Sequence, residues 1–314
     1  MCVVGVDIGG TSLRLALAGM DGKLLFRWKA STAGIRDPHV VVKLIQEGVE
    51  DLLRQSGMPR GSLRAVAVGA PGVTNVDAGI VVATSYLMGW RDVPLRDLLE
   101  TRLGVPAAVD NDVNMAALAE SQMGAAEGTR DFVFIAIGTG IGAGIVLNGR
   151  LFHGLDWSAG EIGYMLVPGT KVEPVGRGEP GALEAIVGGE GIKAQWQSLW
   201  RAELTPLPRD LVATEIFDHA LAGDSLARTI LNRCAQTLGY AIYNLSVVLN
   251  CPLFVLGGTI GMHPALCQAT QELLARMDER VQPTLSRSTL GPDAQLIGAI
   301  CLALETAESR VLSS

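Results

Sequence analysis

The chain has 314 residues, 48% of them apolar and 18% charged, which is too apolar for a disordered polymer and long enough for two domains that each close a core. Its 25 basic and 32 acidic side chains leave a net charge of −7, so no global field draws it to nucleic acid or to an anionic membrane, and a small-molecule partner is expected. No apolar stretch approaches the roughly 18 residues of a spanning helix. Met1-Cys2 runs directly into Val3-Val4-Gly5-Val6-Asp7 without the basic region or small-residue cleavage site of an export signal, and a cytoplasmic location is expected. The five cysteines (Cys2, Cys234, Cys251, Cys267, Cys301) contain no C-x-x-C pair and read as reduced, mostly buried thiols.

Residues 3–8, 13–18 and 24–29 read as strands, the second and third joined by the turn Asp21-Gly22. Residues 38–54 carry Val41, Leu44, Ile45, Val49, Leu52 and Leu53 at helical spacing, and Gly57 closes the helix. A buried strand at 63–70 ends in Gly69-Ala70-Pro71-Gly72; a short helix at 94–102, a short strand at 106–109 and a helix at 112–122 follow. Then the opening construction recurs. The strand at 132–137 leads into Gly138-Thr139-Gly140, a second strand, the turn Asn148-Gly149 and Arg150-Leu151-Phe152, as the first strand led into Gly9-Gly10-Thr11, a strand and Asp21-Gly22. Such a repeat predicts a duplicated α/β architecture of two domains with a cleft between them. The expected N-terminal domain is 1–113, completed by a C-terminal helix within 294–314, and the C-terminal domain is 114–293. Within the latter, a long helix is predicted at 225–249, a strand at 252–256 ending in Gly257-Gly258-Thr259, and a helix at 264–280.

The 38 glycines gather at the ends of these strands, where a residue without Cβ allows tight turns. A glycine loop after a strand points backbone N–H groups outward, which suits phosphate oxygens. Gly9-Gly10-Thr11 and Gly138-Thr139-Gly140-Ile141-Gly142 both fit, as a facing pair of phosphate loops or as simple hairpin turns; neither is a Walker loop or a dinucleotide fingerprint. Asp7 lies in an otherwise apolar strand beside the first loop. It would either hold a hydrated Mg²⁺ or cap the loop's own N–H groups. Asp110-Asn111-Asp112-Val113-Asn114 opens a helix. Capping explains one aspartate; four polar residues in five also suit a base and an amide that receive a sugar-like hydroxyl. Glu161 and Glu184, single acids among glycines and apolar residues, read as acceptors for vicinal hydroxyls or as helix caps.

Taken together, Asp7-Ile8-Gly9-Gly10-Thr11, Gly69-Ala70-Pro71-Gly72, Gly89-Trp90, Asn111-Asp112-Val113-Asn114, Gly138-Thr139-Gly140-Ile141-Gly142, Gly160-Glu161-Ile162-Gly163, Leu183-Glu184 and Leu256-Gly257-Gly258 resemble, in order and spacing, the ROK family of sugar kinases, open reading frames and repressors. That resemblance implies an actin-like ATPase (ribonuclease H-like) fold and ATP-dependent phosphorylation of a hexose at its primary hydroxyl, as in a glucokinase. It implies Asp112 as general base and Asn111, Glu161 and Glu184 as sugar ligands. Gly9, Gly10, Thr11, Gly138, Thr139, Gly140 and Gly142 would form the ATP clamp, Gly257 and Gly258 the adenosine-side turn, and Asp7 would meet Mg²⁺ through water. The expected partners are the sugar and ATP, not nucleic acid or membrane, and a homodimer is compatible with the family.

The chain departs from the family pattern in three places. Residues 171–182 lack the cysteines of the family's zinc site and Tyr164 stands where its histidine ligand would, so no structural zinc is expected. Tyr86 stands where a sugar-contacting asparagine is common. Two phenol rings, at Tyr86 and Tyr164, should take part in the sugar pocket and crowd large C2 substituents, which favours glucose over N-acetylated sugars. An amino-sugar kinase and a non-catalytic sugar sensor are the alternatives. Repressors of the family carry a DNA-binding helix-turn-helix before the ATPase core, and six residues before Asp7 leave no room for one.

Overall fold

The structure, a computed structural model, describes residues 1–84, 87, 89–170, 179–278 and 280–311. It divides into two compact units, the first built from Met1–Glu120, His153–Ser158 and the segment from Asp293, the second from Ser121–Phe152 and Ala159–Pro292.

The first unit opens with strands β1 (Cys2–Ile8), β2 (Ser12–Gly19) and β3 (Leu24–Ser31), then helix α1 (Pro38–Ser56) and strand β4 (Leu63–Ala70). Strands β5 (Val73–Asn75), β6 (Ile80–Ala83) and β7 (Arg91–Val93) precede α2 (Leu95–Leu103), β8 (Ala107–Asn111) and α3 (Asp112–Met123). Every residue of β1 is buried, so apart from Asp7 its sequence is an apolar run rather than an alternation, the mark of a strand covered on both faces. On one face Val4, Val6 and Ile8 share a core with Val41, Ile45, Val49 and Leu52 of α1. Asp37 caps that helix by accepting from the His39 N–H, and Gly57 ends it in the left-handed conformation.

The second unit repeats the scheme with β9 (Phe132–Ile137), β10 (Ile141–Leu147) and β11 (Arg150–Leu151). Helices α4 (Glu184–Val187), α5 (Gly189–Leu199), α6 (Ala213–Leu221) and α7 (Ser225–Leu249) follow, then β12 (Leu253–Gly257), α8 (Gly258–Gly261), α9 (Pro264–Leu274) and β13 (Thr284–Arg287). Its core joins Val133, Ile135 and Ile137 of β9 to Phe254 and Leu256 of β12, with Trp196, Phe217 and Leu238 brought in by the helices. The last helix, α10 (Ala294–Val311), belongs to the first unit. Leu296, Ile300 and Ala303 cover the second face of β1 beside Val3, Ala16, Ala18, Ala65 and Ala67. The alanines let the helix come close. A Cβ on Gly5 would lie 2.7 Å from the Ile300 nitrogen, so this contact is made backbone to backbone.

Among the described residues the strands form two five-stranded sheets and one of three strands. The large sheets run β3-β2-β1-β4-β8 and β11-β10-β9-β12-β13. In each, a hairpin pairs antiparallel and two further strands pair parallel beside it, so the repeat seen in the sequence is a repeat of sheet topology. The small sheet β5-β6-β7 was not predicted, because strands of three or four residues are too short to display a period. Helix α9 stops at Leu274 rather than running to 280: Arg276 and Met277 bond to carbonyls three residues back, which tightens and ends the helix. No helix among the described residues is long and apolar enough to cross a membrane.

Candidate functional site

In the first unit the polar turn sits where β8 meets α3. Strands β4 and β8 pair in parallel with Gly69 opposite Asp110 and Ala70 opposite Asn111. A Cβ on Gly69 would stand 3.0 Å from Met115 Cγ and 3.4 Å from Asp112 Cα, so this glycine lets α3 start directly over the strand end. Asn111 is the hinge of the turn. Its Nδ2 donates to the Gly72 carbonyl at 2.8 Å, and its Oδ1 accepts from the N–H groups of Val113 (2.8 Å) and Asn114 (3.2 Å). The expected sugar ligand is thus also the helix cap. Asp112 is half-buried in the first turn of α3, its Oδ1 accepting from the Val113 N–H at 3.0 Å, where the helix dipole favours a carboxylate.

Asp110 is buried yet saturated with partners. Its Oδ1 accepts from the Asn111 N–H (2.6 Å) and Asn114 Nδ2 (2.9 Å), and its Oδ2 meets His153 Nε2 at 2.8 Å. The Asp110 bond and charge, with Asp77 further off, raise the His153 pKa against the opposing effect of burial. Nothing in the sequence pointed to His153, which is remote from residue 110 and lies in no motif.

Asp7 is 6% exposed. Its Oδ2 accepts from Arg14 Nε at 2.8 Å and lies 2.7 Å from Arg14 Nη2. Burial pushes its carboxyl up and the guanidinium pulls it back. The hairpin register sets Asp7 opposite Arg14, a pairing that a sequence reader could have found by counting back from the loop. Gly9, Gly10 and Thr11 form that loop: the Gly9 N–H closes on the Ser12 carbonyl at 2.7 Å, and Thr32 Oγ1 donates to the Gly9 carbonyl at 3.0 Å. Gly10 and Thr11 are exposed.

In the second unit the loop Gly138-Thr139-Gly140 leads from β9 to β10, Thr139 exposed. The carbonyls of Gly138 and Thr139 accept from the first N–H groups of α5, those of Gly189 (2.9 Å) and Glu190 (3.4 Å). Three stretches converge on the start of β10. Gly160 has φ +95°, and a Cβ there would sit 1.9 Å from the Ala143 carbonyl oxygen; Gly163 would meet Ile141 O at 3.1 Å; Glu184 Oε2 accepts from the Ile141 N–H at 3.0 Å. These glycines bring Glu161 close to Glu184. Burial, then the Glu184 charge, raise the Glu161 pKa. Two carboxylates at close quarters favour ligands that bring O–H donors. Tyr164 follows on the same turn, 51% exposed. Gly142 lies in β10. Gly257 and Gly258 are there because β9 leaves no room: a Cβ would fall 2.2 Å from Phe134 Cζ and 2.3 Å from the Ile137 carbonyl oxygen respectively.

The expected site residues therefore fall into two sets, Asp7, Gly9, Gly10, Thr11, Asn111 and Asp112 in the first unit and the others in the second. Tyr86 and residues 171–178, where zinc-binding cysteines would fall, lie outside the described residues. Among the described residues no three His, Cys, Asp or Glu side chains come together as a metal cage.

Comparison with known proteins sets these two sets in context. The ROK family model matches residues 3–306. A glucokinase of Halalkalibacterium halodurans is 32% identical, over 94% of this chain and 92% of the relative. An N-acetylmannosamine kinase of Citrobacter koseri is 31% identical, over 96% and 99%. Among solved structures, a ROK hexokinase from Thermus thermophilus shares 30% identity over the whole of both chains with a TM-score of 0.77. A ROK family glucokinase from Streptomyces griseus, solved with glucose and AMPPNP, shares 26% over 97% and 100% with a TM-score of 0.79. The duplicated sheet order is accordingly that of the actin-like ATPase fold, and the chain belongs to the ROK family.

Proposed function

We propose that this chain phosphorylates a hexose at its primary hydroxyl with ATP as donor. The chain is a sugar kinase: its relatives over nearly the whole length are a glucokinase and N-acetylmannosamine kinases. The observation that carries the reading is the turn at 110–114, in which Asn111, Asn114 and Asp110 bond to one another, to the helix start and to the Gly72 carbonyl. That network fixes the backbone on which Asp112 is carried. Asp112 takes the hydroxyl proton as the sugar oxygen bonds the γ-phosphorus and the bond to the ADP oxygen breaks. Glu161 and Glu184 accept sugar hydroxyls, Asn111 offers its remaining amide hydrogen, and Tyr164 borders the sugar.

The loops at 9–11 and 138–140 would supply backbone N–H donors for phosphate oxygens, Gly142 and the Gly257-Gly258 turn would complete the nucleotide side, and the Asp7 oxygen away from the Arg14 contact would accept from a water of Mg²⁺. That ion, when bound, neutralises phosphate charge. One carboxylate suits Mg²⁺, which keeps most of its waters. No structural zinc is proposed, since residues 171–182 contain no cysteine.

A panel of glucose, mannose, glucosamine, N-acetylglucosamine and N-acetylmannosamine, read as ADP release, tests the reading. Glucose is expected to give the highest kcat/KM, because the phenol ring of Tyr164 would crowd a C2 acetamido group. An N-acetylated sugar ahead of glucose would replace this reading with the amino-sugar kinase that the second set of relatives favours. No turnover on any sugar would leave a non-catalytic sensor.

A further inference from the structure

We propose that His153 is a positioning residue for this reaction, holding through Asp110 the turn that presents Asp112; the inference rests on the sugar-kinase reading above. Asp110 is the junction of the turn. One of its oxygens holds the Asn111 N–H and the Asn114 side chain, so it joins the end of β8 to the first turn of α3. The other faces His153 Nε2 at 2.8 Å.

The histidine comes from His153–Ser158, a short stretch of the first unit inserted between two segments of the second. The side chains of His153 and Asp110 are 22% and 6% exposed, so water replaces little of this contact if it is lost. Backbone and amide N–H groups satisfy Asp110 Oδ1, and the His153 ring satisfies Oδ2. A buried carboxylate oxygen stripped of its donor seeks water, and here it cannot move without carrying Asn111 and Asn114 along. Those two residues set where Asp112 lies. Displacement of a reacting group by about 1 Å costs on the order of a hundredfold in rate, so a residue that never touches the sugar can control turnover.

The test compares His153→Ala with His153→Gln, whose amide N–H reaches about as far as Nε2, in the whole protein and with the sugar that the wild type uses best. His153→Ala is expected to lower kcat roughly ten- to a hundredfold, with KM for ATP within about twofold of wild type. His153→Gln should recover most of the loss. Amide hydrogen exchange at Val113 and Asn114 should be faster in His153→Ala and near wild type in His153→Gln. Should His153→Ala not fold, His153→Asn, whose amide stops short of Asp110, takes its place.

Wild-type kcat in the shortened variant, or a fall in kcat with unchanged exchange at Val113 and Asn114, would overturn the proposal. So would a loss that His153→Gln does not recover. If the wild type phosphorylates no sugar, the sugar-kinase reading fails, and the exchange measurement alone decides whether His153 holds the turn.

Discussion

The two units share a sheet order but treat buried acids in opposite ways. In the first, each buried aspartate of the candidate site has a basic partner: Arg14 for Asp7 and His153 for Asp110. In the second, Glu161 has another acid for a neighbour, and its carboxyl is raised by burial and by the Glu184 charge. The Asp110 contact closes within the protein and holds a backbone turn in place. In the second, Glu184 Oε2 has a backbone donor in the Ile141 N–H, and a ligand rich in hydroxyl groups would supply further donors.

Four measurements can break or sharpen that contrast. The largest effect is expected from Asp112→Asn, which keeps the volume and removes the proposed base: kcat should fall by roughly 10²–10⁴, with ATP affinity nearly intact. Near-wild-type turnover would remove Asp112 from the role and leave the first unit's turn without a chemical purpose. Next is Gly160→Ala, at φ +95° with its new Cβ 1.9 Å from a carbonyl oxygen. Such a left-handed position should cost well over about 1 kcal/mol, read as a shift of the denaturant midpoint. A neutral result would show that the Glu161 turn is not pinned to β10 as described.

A third measurement concerns Glu161→Gln, which should raise the KM for sugar about tenfold or more, since hydrogen bonds to charged groups contribute roughly 1.5–3 kcal/mol. The same change has a stability signature. Because folding raises the Glu161 pKa, the wild type binds the proton more tightly folded than unfolded, and it loses stability as pH rises from the ordinary glutamate range through the raised value. Glu161→Gln should abolish that loss; identical Tm profiles for the two proteins would mean that neither burial nor the Glu184 charge raises the Glu161 carboxyl on folding.

The smallest effect is the pH dependence of the first unit's pair. The raised His153 pKa means that its contribution is fully present below the ordinary histidine value of about 6.5 and fades as pH rises through the folded-state value. The Tm advantage of wild type over His153→Gln should therefore shrink between mildly acidic and alkaline pH. A constant difference would assign the contact to hydrogen bonding without charge.

Much of this was legible in the chain itself, for local reasons. The buried strand β4 and the 25-residue α7 were predicted with their observed limits, because apolar period and terminal residues are written in neighbouring positions. The polar turn at 110–114 and the acids at 161 and 184 stood out as polar residues in apolar or glycine-rich settings. The small sheet β5-β6-β7 was hidden by its short strands, and the end of α9 by apolar residues that continue past it.

The sequence by itself determined the two glycine loops, the repeat of the hairpin and the identity of the acids, since each is a matter of residue type and spacing along the chain. Only the tertiary structure decided what those acids face. Asp110 finds His153 43 residues away, and Glu161 is set near Glu184 by glycines that admit carbonyl oxygens of β10. Charge acts through distance and burial, and neither is a property of sequence separation.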